Sequence, residues 1–257
     1  MKVITCNLNG IRAAERKGFF TWIAAEDPDF ICVQETKAQM GFLLGDAYYP
    51  VAYNSVFADA VKKGYSGVGI YSKLKPDQVV TKMGLDWADN EGRYVEASFG
   101  NLRIASLYLP SGSSGNERQE LKYDFMRYYH DEFLVNIATG EHDYILCGDF
   151  NIVHKEIDIK NWKANQKNSG CLPCERQWLD EVFGKLNLVD AFRHLNANSH
   201  EYTWWSNRGR AWDNNVGWRL DYQIVTKNLA AKIKAVRIYK EQRFSDHAPL
   251  IVEYANY

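Results

Sequence analysis

DYILCGDFN, Asp143 to Asn151, is a short apolar run that stops on a carboxylate and a carboxamide. Its aromatic, β-branched and small apolar residues suit a packed strand, and Gly148 and Asn151 close it as a turn would. The same unit recurs along the chain. MKVITCNLNG (1–10) ends in Asn7 and Asn9, DFICVQET (29–36) in Glu35, and LRIASLYLPSG (102–112) reaches Tyr108 before its Pro-Ser-Gly stop. SGVGIYS (66–72) follows a Gly-rich turn, and WRLDYQIVT (218–226) carries Asp221. In RFSDHAPLIVEY (243–254), Asp246 and His247 stand just before the last apolar run. Helical spacing appears between some of these runs. GFFTWIAAED (18–27) places Phe19, Phe20, Trp22, Ile23 and Ala24 ahead of Pro28. Residues 117–139 carry Leu121, Phe125, Tyr128, Tyr129 and Phe133, and residues 174–186 carry Trp178, Leu179, Val182, Phe183 and Leu186. Many strands with a few helices outside them predict an α/β sandwich of two sheets flanked by helices. No linker, repeat or low-complexity tract interrupts the pattern, so residues 1–257 read as one domain.

The bulk properties narrow the function. A chain of 257 residues with 46% apolar and 25% charged residues is an ordinary globular composition. A net charge of −1 supplies no global attraction for polyanions, so any such site must come from local clustering. Cys6, Cys32 and Cys147 lie in strand runs, where buried free thiols are common. Cys171 and Cys174 form CLPC, which lacks the second ligand pair of a structural zinc and reads as a loop feature. With no secretory leader and no run long enough for a bilayer, a cytoplasmic compartment is expected.

The polar strand ends carry the chemistry. If several strands end on one rim, their carboxylates crowd together and raise each other's pKa unless a cation offsets them. Glu35, Asp149, Asp246, Asn7 and Asn151 form an oxygen-rich set suited to Mg²⁺ or Mn²⁺ rather than Zn²⁺. Each is an ordinary turn former or helix cap when taken singly. The weight lies in their recurrence at strand ends.

NLNGIR (7–12), QETK (34–37), GRYVEA (92–97), LYLPSG (107–112), CGDFN (147–151), NVGWRLDY (215–222) and SDHAPL (245–250) stand in order along the chain. Together they resemble the exonuclease III class of apurinic/apyrimidinic endonucleases, in the endonuclease/exonuclease/phosphatase superfamily. EIDIKNW (156–162) and YTWWSNRGR (202–210) are similar to DNA-repair members rather than to lipid or inositol phosphatases. The resemblance implies a DNase I-like, four-layer α/β sandwich. It implies Mg²⁺-dependent hydrolysis of DNA 5′ to an abasic site, with Mn²⁺ able to substitute and 3′-exonuclease, 3′-phosphodiesterase or 3′-phosphatase activity alongside. The implied partner is double-stranded DNA with abasic sites or blocked 3′ ends, met by a monomer in a bacterial cytoplasm.

Roles follow from the same resemblance. Glu35 and Asp246 would hold the metal, with Asn7 and Asn9 in its shell. Asn7 would also bond the neighbouring acids. Asp149 would activate the water, Asn151 and Tyr108 would contact the phosphate, and Asp221 would orient His247 beside it. Trp204, Trp218 and Leu220 would pack on the base-less sugar, a pocket that excludes a nucleotide carrying its base. From the residues themselves, Lys62, Lys63, Arg93, Lys160, Lys163, Lys167, Asn168, Arg208 and Arg210 lie in polar segments and are candidate DNA contacts. Adjacent tryptophans on a strand face opposite ways, so one of Trp204 and Trp205 is expected in the core, and Tyr202 reads as structural.

A second resemblance runs to bacterial catabolite repression control proteins, RNA-regulatory relatives that have lost the catalytic acids. Glu35, Asp149, Asn151 and Asp246 are all present here, which favours the nuclease. The paired tryptophans and Lys-rich loops disfavour a small-molecule phosphomonoesterase. Three positions depart from the family pattern: Asn9, where some relatives carry Asp; Cys6, where many carry Trp; and Gln223, where an aromatic is frequent.

Overall fold

The structure, a computed structural model, describes residues 1–255. Its strands are β1 (Lys2–Asn7), β2 (Phe30–Gln34), β3 (Asn54–Ala58), β4 (Val68–Ser72), β5 (Gln78–Val80), β6 (Tyr94–Phe99) and β7 (Leu102–Tyr108). They continue as β8 (Asp143–Asp149), β9 (Val189–Asp190), β10 (Trp204–Trp205), β11 (Gly217–Trp218), β12 (Asp221–Val225), β13 (Ile233–Ile238) and β14 (Leu250–Tyr254). One six-stranded sheet runs β13-β14-β1-β2-β4-β3 and the other β5-β6-β7-β8-β12-β9, with β10-β11 a separate ribbon. Both sheets are mixed, because β1–β2 and β7–β8 pair parallel while their other ladders are antiparallel.

The two-residue period of the strands builds the layers. Val3 of β1 turns to the space between the sheets, where Phe30, Cys32, Val68 and Ile70 meet Val95, Ile104, Ile145, Cys147 and Val225. Ile4 and Cys6 turn the other way, with Ile31, Val33 and Tyr71, onto Phe19, Trp22 and Ile23 of the helix Phe19–Glu26. The second sheet puts Tyr94, Leu107, Leu146 and Tyr222 outward against Phe125, Tyr129, Trp178 and Leu179. Those four come from the helices Asn116–Tyr129 and Pro173–Asp180. Three apolar layers make a sandwich of four, the expected α/β architecture.

Gln223 gains a reason from this packing. Its amide Nε2 donates 2.9 Å to Val3 O, its Oε1 accepts from Tyr254 Oη at 3.0 Å, and both partners belong to the other sheet. The residue is a polar rivet across the sandwich. Cys171 is buried and Cys174 exposed, both as free thiols. CLPC opens a helix rather than lying in a loop, with Pro173 in its first turn.

Topology gathers the strand ends. In the parallel pairs, β1 and β2 finish side by side, as do β7 and β8, with Tyr108 in register with Asp149. Antiparallel β12 begins where β8 ends, with Asp221 opposite Asp149. β14 begins opposite the far part of β1, with Leu250 against Thr5, so the Asp246-His247 segment arrives on the same rim.

Candidate active site

Asn7 is the hinge of this rim. It is fully buried, and its amide Nδ2 donates 2.8 Å to Glu35 Oε1 and 2.8 Å to Asp149 Oδ2, bridging the two sheets. Its Oδ1 accepts from the backbone of Asn9 at 2.9 Å. Asn7 thus bonds both acids, and its Oδ1, with one hydrogen bond accepted, keeps a second lone pair on the side of Glu35 and Asn9. Glu35 and Asn9 both adopt left-handed backbone, φ 50° and 46°, where the chain turns sharply after its strand. Lys37 Nζ reaches Glu35 Oε2 at 2.8 Å and also bonds Asn9 Oδ1. Asn9 Nδ2 donates 2.9 Å to Asp246 Oδ1, and Trp204 Nε1 donates 3.2 Å to Asp246 Oδ2.

A second chain runs through His247. Its Nδ1 lies 2.9 Å from Asp221 Oδ2 and its Nε2 lies 3.7 Å from Asp149 Oδ2. Burial opposes the charge on His247, but Asp221 and then Asp149 overcome it and raise its pKa to about 10. Burial is also the main force on Asp149; His247 pulls the other way, Asp221 and Glu35 add to the rise, and the carboxyl sits at about 7. Glu35 stays below the ordinary carboxylate range although burial opposes it, because Lys37 and the Asn7 hydrogen bond favour the charge. Asp246 is lowered against its burial too, chiefly by His247 and the Asn9 bond.

Asp149, Asp221 and His247 each bring one donor atom within 4.8 Å of the others, the spacing of a metal cluster. An imidazolium has no lone pair to give a cation, so these three read instead as an acid–imidazole–acid chain. The corner formed by Glu35 and Asp246 suits a hard cation better. It offers ionised carboxylates and amide oxygens and no sulfur, and it already draws the Lys37 ammonium.

A cavity of about 700 Å³ opens on this rim. Glu35, Tyr108, Asp149, Asn151, Asp246 and His247 line its floor. Asn151 is held in left-handed backbone, φ 52°; its N–H bonds Asp149 Oδ1 and its side-chain amide bonds Leu109 O, each at 2.9 Å. One wall is Trp204, Trp218 and Leu220, the two indoles edge-to-face at 6.0 Å. Trp205 turns away into the core at 1% exposure, beside the buried Tyr202. Ser111–Gly115 and Lys167–Gly170 complete the lining, so Lys167 and Asn168 reach the cavity.

The remaining expected contacts are spread out. Lys62, Lys63, Lys163, Arg208 and Arg210 are exposed outside the cavity lining, and Lys160 is half-buried. Arg93 requires a correction. It is 1% exposed, and its guanidinium stacks 4.6 Å from the Tyr108 ring centroid and donates 2.9 Å to Tyr108 O. Glu91 holds it through Nε at 2.7 Å. Arg93 therefore supports Tyr108 from beneath and does not present itself to a ligand. Burial keeps the Tyr108 phenol protonated far above its ordinary range, with Glu35 adding to the rise and Arg93 opposing it.

Sequence reasoning missed Lys37, which stands inside QETK, and a buried Lys122–Glu175 pair behind the rim. Lys122 lies three and seven residues before Phe125 and Tyr129, on the buried stripe of its helix. That spacing is the signal that finds it.

The fold and the site define a class of phosphoester-cleaving enzymes. The chain belongs to the Endonuclease/Exonuclease/phosphatase family, whose model matches residues 4–247. It is 39% identical over 254 residues to an exodeoxyribonuclease of Bacillus subtilis (strain 168), covering 97% of this chain and 98% of that one. The DNA repair nuclease APEX1 of Danio rerio is 34% identical over 257 residues, covering 97% of this chain and 81% of that one. Among solved structures, the 3′-5′ exonuclease NExo from Neisseria meningitidis superposes with a TM-score of 0.88 at 25% identity, covering 99% of each chain.

Proposed function

We propose that this chain is a DNA-repair hydrolase that cuts the DNA backbone 5′ to an abasic site, as a metal-dependent, exonuclease III-type AP endonuclease. The observation that carries the reading is the convergence of the Asp149–His247–Asp221 chain, the Glu35–Asp246 corner and an indole wall on one open cavity. The similarity to exodeoxyribonuclease and DNA repair nuclease relatives along nearly the whole chain supports the same substrate.

On this reading the abasic sugar turns out of the duplex onto Trp204, Trp218 and Leu220, and its phosphate lies over Asp149, Asn151 and His247. Asp149, with its pKa near neutrality, takes the proton of the attacking water as the oxygen bonds phosphorus. As that bond forms the P–O3′ bond breaks, the leaving O3′ takes a proton from bulk water on the far side of phosphorus, and Asp149 releases the one it gained to solvent. His247, held as imidazolium with Nδ1–H toward Asp221, stabilises the charge that builds on the phosphate oxygens. The second donor of the Asn151 amide and the Tyr108 phenol bond the same oxygens. Glu35 and Asp246 would hold the divalent cation on which this family depends, Mg²⁺ by the hardness of the donors, and when bound it supplies further positive charge to the phosphate. Lys167 and Asn168 meet the DNA backbone at the cavity rim, and Lys62, Lys63, Lys163 and Arg208 track it outside the cavity.

The chain works as a single domain and a monomer on this reading. A labelled duplex with one abasic analogue, set beside the intact duplex and a single-stranded RNA, tests the assignment. Mg²⁺-dependent incision at the lesion is expected. RNA binding without incision of either duplex would instead establish the regulatory alternative.

A further inference from the structure

Lys122 and Glu175 face each other behind the rim with no exposed surface on either side chain, Nζ to Oε1 at 2.6 Å. Burying two charges is costly unless hydrogen bonds satisfy the rest of each group. Here those bonds go to the loops of the cavity. Lys122 Nζ donates 2.9 Å to the carbonyl of Asn151. Glu175 Oε2 accepts from the backbone N–H of Gly170 at 2.6 Å and of Leu172 at 3.0 Å. Its Oε1 accepts from Gln119 Nε2 at 3.1 Å and lies 3.5 Å from Ser169 Oγ. Gln119 and Ser169 in turn seat the other rim loop, since a Cβ on Gly112 would come within 2.0 Å of Gln119 Oε1 and 2.6 Å of Ser169 Oγ.

These contacts leave little slack. A Cβ on Gly170 would lie 2.9 Å from Asn151 O and 3.2 Å from the Trp218 ring. Asn151 sits in a left-handed conformation that a non-glycine residue keeps only when its surroundings hold it. Packing alone would be served by an apolar residue at 122, where the stripe continues with Phe125, Met126 and Tyr129.

We propose that Lys122 and Glu175 are positioning residues of the phosphate site. Lys122 fixes the Asn151 peptide, so that the Asn151 amide meets the scissile phosphate. Glu175 sets the Ser111–Gly115 and Lys167–Gly170 loops that receive the flanking DNA backbone. The inference rests on the nuclease reading above.

The test is a split between kcat and KM on an abasic duplex with Mg²⁺. Lys122→Met is expected to lower kcat about 100-fold with KM near wild type, the scale on which a misplaced contact costs rate. Glu175→Gln is expected to raise KM about tenfold with a smaller effect on kcat. Both variants are assayed per folded molecule, from circular dichroism and size exclusion. The double variant Lys122→Met/Glu175→Gln removes both charges, which favours folding, and is expected to keep both defects. Wild-type kcat and KM in a folded variant, or losses that only track the folded fraction, would overturn the proposal. Amide exchange gives an arm independent of activity. Residues 168–172 should exchange faster in Glu175→Gln while β8 is unchanged, and equal exchange would refute the loop-setting role. A wild-type protein that leaves the abasic duplex uncut would refute the nuclease reading, and the exchange arm would still decide the loop-setting role.

Discussion

Replacing Asp221 by Asn removes one charge and little volume. Its carboxylate lies 2.9 Å from His247 Nδ1. At that separation and an effective dielectric of about 20, the attraction for an imidazolium is about 6 kcal/mol. That equals about four pKa units. It explains how a histidine whose burial opposes its charge still titrates at about 10. Asp149, 3.7 Å from Nε2, and the neighbouring Asp246 contribute the rest. Without Asp221, His247 should fall to about 6, so that about 3% remains imidazolium at about pH 7.5. Steady-state incision at saturating Mg²⁺ should then drop about 30-fold or more at that pH, and lowering the pH to about 5.5 should not restore it, because Asp149, at about 7, is then protonated and cannot take the proton of water. The alkaline limb of the kcat profile should move toward acid by several units. A variant with the wild-type rate, or with an unmoved profile, would refute the charged role of His247.

Arg93→Met should lower kcat by about tenfold through Tyr108, yet leave the salt dependence of DNA binding unchanged, since the guanidinium is buried. Lys62→Ala and Lys63→Ala should each reduce the log Kd against log salt slope by about one, read by fluorescence anisotropy. Trp218→Ala should raise KM for the abasic duplex about tenfold and narrow the preference over intact DNA, which competition kinetics measures. Asp158 tests stability rather than rate. Burial opposes its charge, but Arg219 and Arg193 lower its pKa from 3.8 to about 2. A depressed carboxyl stabilises the fold above its unfolded pKa, and this contribution is lost as pH falls through the folded one. Asp158→Asn should therefore cost about 2 kcal/mol in urea unfolding at neutral pH, with the gap to wild type closing between about pH 4 and pH 2.

The strands and helices that sequence made legible are those whose apolar residues repeat at a clear period. DYILCGDFN and LRIASLYL are central strands, buried along most of their length, and their composition says so. β3, β5 and β13 were not legible, because each lies at or next to a sheet edge and keeps much of its length near solvent; all three residues of β5 are exposed. The site residues were legible because they stand at strand ends inside ordered motifs. Their meeting was not, since it depends on which ends share a rim, as Asn7 and Asp149 do across two sheets. Arg93 misleads for the same reason: an arginine in a polar segment reads as exposed until it is seen just ahead of β6, paired with the Tyr108 backbone and stacked on its ring. Lys122 reads as a solvated charge unless its place on the buried stripe is weighed first.

The proposed incision 5′ to a base-less sugar depends on Asp149 together with a cation at the Glu35–Asp246 corner. Its most direct measurement is single-turnover cleavage of an abasic duplex by wild type and Asp149→Asn, each with EDTA and after Mg²⁺ is restored. Incision is expected only for wild type with Mg²⁺, while a folded Asp149→Asn protein should bind the duplex but cut it at least about 100-fold more slowly. Chelator-resistant cleavage, or near-normal turnover by Asp149→Asn, would contradict it.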